Sequence, residues 1–586
     1  MRHFQFLIAA ALLASAAPAL AGPPEDFKAL TDEYWAFTMR EYPTFASSLG
    51  IHDYDDRLGD ISLAAEDRRS AEYAKYLARL AAIPDAGLSP ADRINKAILT
   101  RTLSENVEAN RFGERMMLFS NRGGWHQQLA GLADGLTFRT RADYENYLKR
   151  LAQYPALNDE ALKISTRALN EGYTLPCVAL GGFEETISGV IPADPTKSRL
   201  YSPFAAERPV VIAAADWAAL QARAKAMING DLRAAYAKHL AWYTGSYKPN
   251  CNKAVGVSAL PNGKAYYEYK IRNQTTTSRT ADDIHALGLS EVKRIRAEME
   301  EVAKKAGFPS REAFIADLRT NPKYYAKTPE ELMQIVARQT KTIDGKMPTL
   351  FTLLPRLPYG IREIPAEIAE GTTTAYYNQG SPENGIAGTY YVNTSKLNQR
   401  PLWEIPALTV HEAVPGHHMQ IALQQELPMP EWRRKGTFFT AFVEGWGLYS
   451  ERLGIEMGLY DTPAKDMGRL SYEMWRATRL VVDTGMHAKG WSKQQAVDYM
   501  TDNTALSAAN IEAEVNRYIA DPGQALAYKL GELKIRELRA RAQSALGEKF
   551  DLRRFHDAVL GQGAVPLDTL EAQIDAWIAA EKGRRS

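Results

Sequence analysis

The segment from Pro348 to Pro401 constrains this chain most, because it is where an otherwise helical pattern stops. Pro, Gly, Thr and Tyr dominate it, and these residues favour turns and strands. Thr372-Thr373-Thr374-Ala375-Tyr376-Tyr377 and Gly388-Thr389-Tyr390-Tyr391-Val392-Asn393 read as strands on either side of the turn-rich Ser381-Pro382-Glu383-Asn384-Gly385. Elsewhere the spacing is helical. Ala65 to Ala82 is rich in Ala, Glu, Arg and Leu, and Ala205 to Trp242 continues the texture. Thr280 to Ala306 sets Ile284, Leu287, Val292, Ile295 and Met299 at helix intervals. Thr328-Pro329-Glu330-Glu331 is a capping box with proline at the first helical position, opening a helix to about Thr342. The expectation is a mainly α protein, with a large helical body and a small β-sheet beside its chemistry. A division near residue 350 separates an N-terminal helical region, 22–350, from a catalytic region, 351–586, although the two could share one body.

Residues 1–21 stand apart. A basic start at Arg2, an apolar run from Leu7 to Leu20, and Ala19-Leu20-Ala21 before Gly22 read as a cleaved secretory signal peptide. No Cys follows that site, so a lipid anchor is not expected, and no later run is long and apolar enough to insert stably in a membrane. Without Arg2 the chain carries 70 basic and 70 acidic side chains, which leaves no broad electrostatic footprint for nucleic acid. Cys177 and Cys251 are the two cysteines, and an even pair in an exported chain makes a disulfide between them plausible.

The chemistry concentrates in His411-Glu412-Ala413-Val414-Pro415-Gly416-His417-His418. Zinc hydrolases often place H-E-x-x-H on one helix, with two imidazoles on one face and the glutamate reaching the water on the metal. Here the later histidines fall at i+6 and i+7. A regular helix would carry His418 about 10 Å along its axis. Pro415-Gly416 supplies a distortion that stretches the motif. Of ten His in the chain, three lie in eight positions, too dense for background. His411 and His417 are the expected ligands, with His418 as alternative second ligand. Glu444, in the apolar Phe442-to-Ser450 stretch, is the expected third ligand, because a carboxylate there needs a partner or a metal. Glu451, seven residues on, lies on the same helical face and could orient an imidazole. Two His and one carboxylate leave zinc a position for water, and Mn or Co could occupy the same set. Glu412 is then the general base that takes the water's proton and passes it to the leaving amine.

His411 to Gln420, in the pattern H-E-x-x-P-G-H-H-x-Q, and Glu444 to Tyr449, in the pattern E-G-W-x-x-Y, closely resemble the bacterial DUF885 family. Tyr390 to Asn393, Arg479 to His487, and Gly523-Gln524-Ala525 with Tyr528-Lys529 look like it too. The resemblance spans about residues 30–580 and implies a mostly helical, zinc-peptidase-like protein and, from its bacterial setting, a periplasmic one. The family supplies no substrate. A more distant similarity, to helical carboxypeptidases and oligopeptidases, favours His417 over His418, since glycine directly precedes their second histidine. It also suggests Tyr528 as an oxyanion donor and the long N-terminal half as a size filter.

Substrate contacts are expected from Tyr390, Tyr391 and Asn393, if their strand is an edge that pairs with substrate backbone. Arg476, Arg479, His487 and Lys529 could seat a substrate carboxylate, with Asp483 holding Arg479. His126 has no evident partner and reads as structural. The expected function is an exported zinc metallopeptidase of short peptides, a carboxypeptidase or dipeptidase with one Zn2+ per chain, periplasmic or secreted. The alternatives are a zinc amidohydrolase acting on a non-standard amide or cell-wall fragment, and a non-catalytic peptide-binding protein with a vestigial site.

Overall fold

The computed structural model describes residues 22–370 and 372–584; the expected signal peptide lies outside them. The protein is mainly α, with one two-stranded and one three-stranded sheet among the described residues. Helices form where the periodicity predicts them. Leu63–Ala82 is capped by Ser62, and Ala281–Lys305 opens on a reciprocal Thr280–Asp283 capping box. Thr328 caps Pro329–Asp344 by accepting the Glu331 N–H, but the Glu331 carboxylate reaches back one residue further than the box predicts, to the Lys327 N–H. The expected long helix from Ala205 to Trp242 is instead Ala214–Met227 and Arg233–Trp242, joined by a π-helical turn at Ile228–Leu232 that contains the non-helical Gly230.

The small sheet corrects one expectation. Strands β1 (Phe119–Ser120) and β2 (Gly123–Gly124) form a separate hairpin around Arg122. The larger sheet holds β3 (Tyr359–Glu363), β4 (Ala375–Asn378) and β5 (Gly388–Val392) in the order β3-β5-β4. The two strands read from the sequence, β4 and β5, do pair, antiparallel, whereas β3, which joins parallel to β5, was not legible. β5 is therefore the central strand and not the edge, and Tyr390 is fully buried beneath it.

One apolar cluster runs from Phe27 and Leu30 through Val410, Phe442 and Trp446 to Ile574 and Ile578, so it draws on both sides of residue 350. The helix Thr440–Leu453 crosses Leu526–Leu546 at a glycine contact. A Cβ on Gly531 would meet the Ala441 carbonyl oxygen at 1.9 Å, and one on Gly445 would meet the Gly531 Cα at 2.5 Å. Small residues here let the two backbones touch, which fixes Glu444 and Tyr528 relative to one another.

Cys177 and Cys251 form a disulfide spanning 74 residues, beside the Cys177 N–H to Asn252 carbonyl hydrogen bond. Chain entropy assigns a loop of that length about 4 kcal/mol. Cys251→Ser is expected to lower unfolding stability by up to that amount, measured as a drop in urea midpoint that reductant reproduces in the parent. An unchanged midpoint would show that the bond adds nothing.

Candidate metal and substrate site

The sequence His411 to His418 is not one stretched helix but two helices. Ile405–Glu412 ends at Ala413 (ψ −118°), and His417–Glu426 begins after Gly416 (ψ −129°), with a cis Val414–Pro415 peptide between them. A Cβ on Gly416 would lie 1.9 Å from the His411 carbonyl oxygen, so only glycine permits this reversal. Trp446 Nε1 donates to the Pro415 carbonyl at 2.7 Å and ties the turn to the Thr440–Leu453 helix. The turn folds His417 back toward His411, and their ring centroids are 4.7 Å apart.

His411, His417 and Glu444 converge, each offering one ligand atom, all within 4.8 Å of one another. Glu444 Oε2 lies 3.6 Å from His411 Nε2 and 3.3 Å from His417 Nε2. Behind them, His411 Nδ1 sits 2.8 Å from Glu451 Oε1, which Arg476 Nη2 holds at 2.9 Å. That contact turns Nε2 toward Glu444, as a carboxylate behind a ligand imidazole does. Gly447 makes room for the His411 ring; a Cβ there would be 2.7 Å from Cε1. Burial would raise the Glu444 carboxyl, but His417 and His411 hold it well below the usual range. Burial would lower His411, but Glu444 and Glu451 draw it up to about 9. Two imidazoles and a carboxylate, crowded together with Glu444 Oε2 lacking a hydrogen-bond donor among the described residues, are a donor set that suits a zinc-like ion.

His418 points elsewhere. Its Nδ1 is 3.0 Å from the Tyr377 hydroxyl and its Nε2 3.0 Å from the Leu357 carbonyl, where burial pushes it down to about 4. One residue's step along the helix turns it under the sheet, against Gly388 of β5.

The cluster opens on a cavity of about 240 Å³ lined by Glu412, Tyr528, Trp475, Arg476 and Arg479. Thr373 to Tyr377 form another wall. Tyr528 lies nearly parallel to His411 at 6.2 Å, and its hydroxyl is 3.4 Å from both Arg517 Nη1 and Gln524 Nε2. Arg479 stacks over Tyr528 and Trp475 and donates to Glu514 at 2.8 Å. Glu514, not Asp483, holds Arg479; Asp483 accepts from the Tyr267 hydroxyl and the Gly523 N–H.

Four expected substrate residues are turned away from the cavity. Asn393 is fully buried and donates to the carbonyls of Ala369, Thr372 and Thr373, pinning the entry to β4. Tyr390 lies under the sheet, in the core. His487 accepts from the Val257 N–H and donates to the Tyr518 carbonyl. Lys529 is fully buried among Glu473, Glu532 and Glu291 at 2.9–3.1 Å. Tyr391 is not among the residues lining the cavity but stacks, at 4.8 Å, on Tyr376, which is. His126 packs in the N-terminal core against Thr186.

Sequence reasoning missed Arg122, Arg517 and the β4 wall. β4 was visible as a strand, but only the sheet order shows that it carries the edge. The Asn393 N–H donates to the Thr374 carbonyl, so residues 374, 376 and 378 face β5 and the backbone groups of Ala375 and Tyr377 face outward.

Glu514 predicts acid behaviour. Burial would raise its carboxyl, but Arg517, Arg479 and Arg122 hold it at about 2, against 4.5 unperturbed. The unfolded chain takes up this proton near 4.5 and the folded chain only near 2. The group thus stabilises the fold above 4.5, by on the order of 3 kcal/mol, and that contribution is lost as pH falls from 4.5 to 2. Glu514→Gln is expected to be less stable than the parent at neutral pH, with the gap closing across that window. A gap independent of pH would contradict the assignment.

Fold and site together define a mainly helical protein that gathers two histidines and a glutamate at the floor of an arginine-lined cavity. The chain belongs to the family described as "Bacterial protein of unknown function (DUF885)", whose model matches residues 43–574. No curated protein matches. The crystal structure of a candidate lipoprotein from Colwellia psychrerythraea is 26% identical, with a TM-score of 0.89 over 96% of this chain and 100% of that chain. A candidate lipoprotein of unknown function from Shewanella oneidensis shares the fold at 19% identity, with a TM-score of 0.69 over 94% of this chain and 99% of that chain. No helix among the described residues is long and apolar enough to cross a membrane.

Proposed function

We propose that this protein is an exported zinc-dependent metallopeptidase that hydrolyses short peptides. The observation that carries the reading is the convergence of His411, His417 and Glu444 beside Glu412 in one cavity. His411, His417 and Glu444 would hold the ion. When bound, it supplies Lewis acidity for a substrate carbonyl and acidifies water. Glu412 takes the proton from the attacking water and delivers it to the amine as the C–N bond breaks, so one water yields a carboxylate and an amine. Glu451 and Arg476 keep His411 oriented. The outward backbone groups of Ala375 and Tyr377 can pair with an extended substrate, a role first expected of β5. Tyr528 stands beside His411, where its hydroxyl can donate to a developing oxyanion. The apolar run at residues 7–20 supports export, to the periplasm or beyond the cell.

The test is a short-peptide library incubated with the zinc-loaded protein. Hydrolysis that a chelator abolishes and zinc restores supports the reading. Absence of cleavage across the library by fully loaded protein overturns it.

A further inference from the structure

The cavity is lined by four arginines, more than its catalytic end uses. Arg476 is matched to Glu451. The other three, Arg122, Arg479 and Arg517, share one carboxylate, Glu514. Its Oε2 accepts from Arg479 at 2.8 Å, Arg517 at 2.7 Å and the Tyr518 hydroxyl at 2.7 Å. Its Oε1 lies 3.8 Å from Arg122 Nη2, beyond hydrogen-bond reach. Arg479 Nη1 and Arg517 Nε are buried with no hydrogen-bond partner among the described residues. The Arg122 side chain, about a third exposed at the cavity wall, makes no close pair with any carboxylate. Three cations against one anion leave an excess of positive charge, and a buried guanidinium such as that of Arg479 is costly unless an anion joins it.

We propose that Arg122, Arg479 and Arg517 form the seat for the C-terminal carboxylate of a short peptide whose scissile amide lies at the His411–His417–Glu444 cluster. The inference rests on the peptidase reading and adds its polarity: residues are removed from a free C-terminus. Tyr528 links the two places, with its ring 6.2 Å from the His411 ring and 4.2 Å from the Arg479 guanidinium. Those two steps reach no farther than about three extended residues, so the seat suits release of single residues or very short fragments. A guanidinium matches a carboxylate in a paired, planar geometry. Arg122 rides on the β1–β2 hairpin of the N-terminal half, which assigns that half a direct part in choosing substrate.

The test compares three N-acetylated tripeptide libraries on the zinc-loaded protein: free C-terminal acids, the same sequences as C-terminal amides, and amides ending in Glu. The free acids are expected to be cleaved with kcat/KM about 10–100-fold above both amide sets, the range for a hydrogen-bonded charge. Arg122→Gln, which breaks no close ion pair, should lower kcat/KM for the free acids by about tenfold or more and for the amides by much less, so that the preference collapses; an equal fall in both would overturn the seat. Equal cleavage of acids and amides overturns the seat while leaving the peptidase reading intact. Glu-amides matching the acids overturn the C-terminal assignment in favour of a side-chain carboxylate. If nothing is cleaved, the peptidase reading fails, and the seat is still decided by calorimetry with acetyl-trialanine and its amide on the parent and Arg122→Gln. Acid binding about tenfold or more above the amide, and lost in the variant, supports it; equal or absent acid binding overturns it.

Discussion

Glu412→Gln is expected to lower kcat by about 10²–10⁴-fold, the usual contribution of a positioned general base, with metal content unchanged. The substitution preserves shape and removes the ability to take a proton. Glu412 ends the helix that carries His411 and lines the same cavity, yet it lies outside the set of three converging ligand atoms. Loss of turnover with retained ion therefore separates base from ligand. Turnover kinetics on the peptide library, paired with elemental analysis, read both quantities from one preparation. If the ion leaves with the activity, Glu412 belongs to the coordination set. If activity persists, the base lies elsewhere.

The second large effect is a contrast between adjacent residues. His417→Ala is expected to cost metal affinity at least the 10–100-fold seen when a supporting partner of a ligand is lost, and activity with it. It removes one of three donors and leaves the enclosed Glu444 with less compensation. His418→Ala should keep the ion. Its cost is structural, about 1–3 kcal/mol, because the Leu357 carbonyl and the Tyr377 hydroxyl lose their buried partner. Zinc titration and thermal unfolding of both variants distinguish the two. Equal zinc loss in both would place the second ligand at His418 and contradict the observed turn.

The helical body was legible from its spacing, as in Ala281–Lys305, and from a cap at Thr328, whereas the capping box at Thr280 was not read. The convergence of His411, His417 and Glu444 was legible as residue types but not as geometry. Pro415-Gly416 announces a distortion, whereas a chain reversal at Ala413–Gly416 depends on tertiary contacts such as the one from Trp446. Sheet order was out of reach for the same reason. Short alternating strands declare a partner but not which of them is central, so β5 read as an edge and Tyr390 and Asn393 as substrate contacts. Lys529 and His487 looked functional because a lone cation in an apolar stretch does not reveal carboxylates or carbonyls brought to it from distant helices. Arg122 gave no local signal; only the fold carries its hairpin to Glu514.

The proposed hydrolysis requires His411, His417 and Glu444 to hold one ion. Elemental analysis by mass spectrometry of the purified protein beside His411→Ala tests it most directly. About one zinc per chain is expected in the parent and none in the variant. Absence of metal from both, even after zinc reconstitution, would contradict the hydrolase mechanism and put a non-catalytic peptide-binding role in its place.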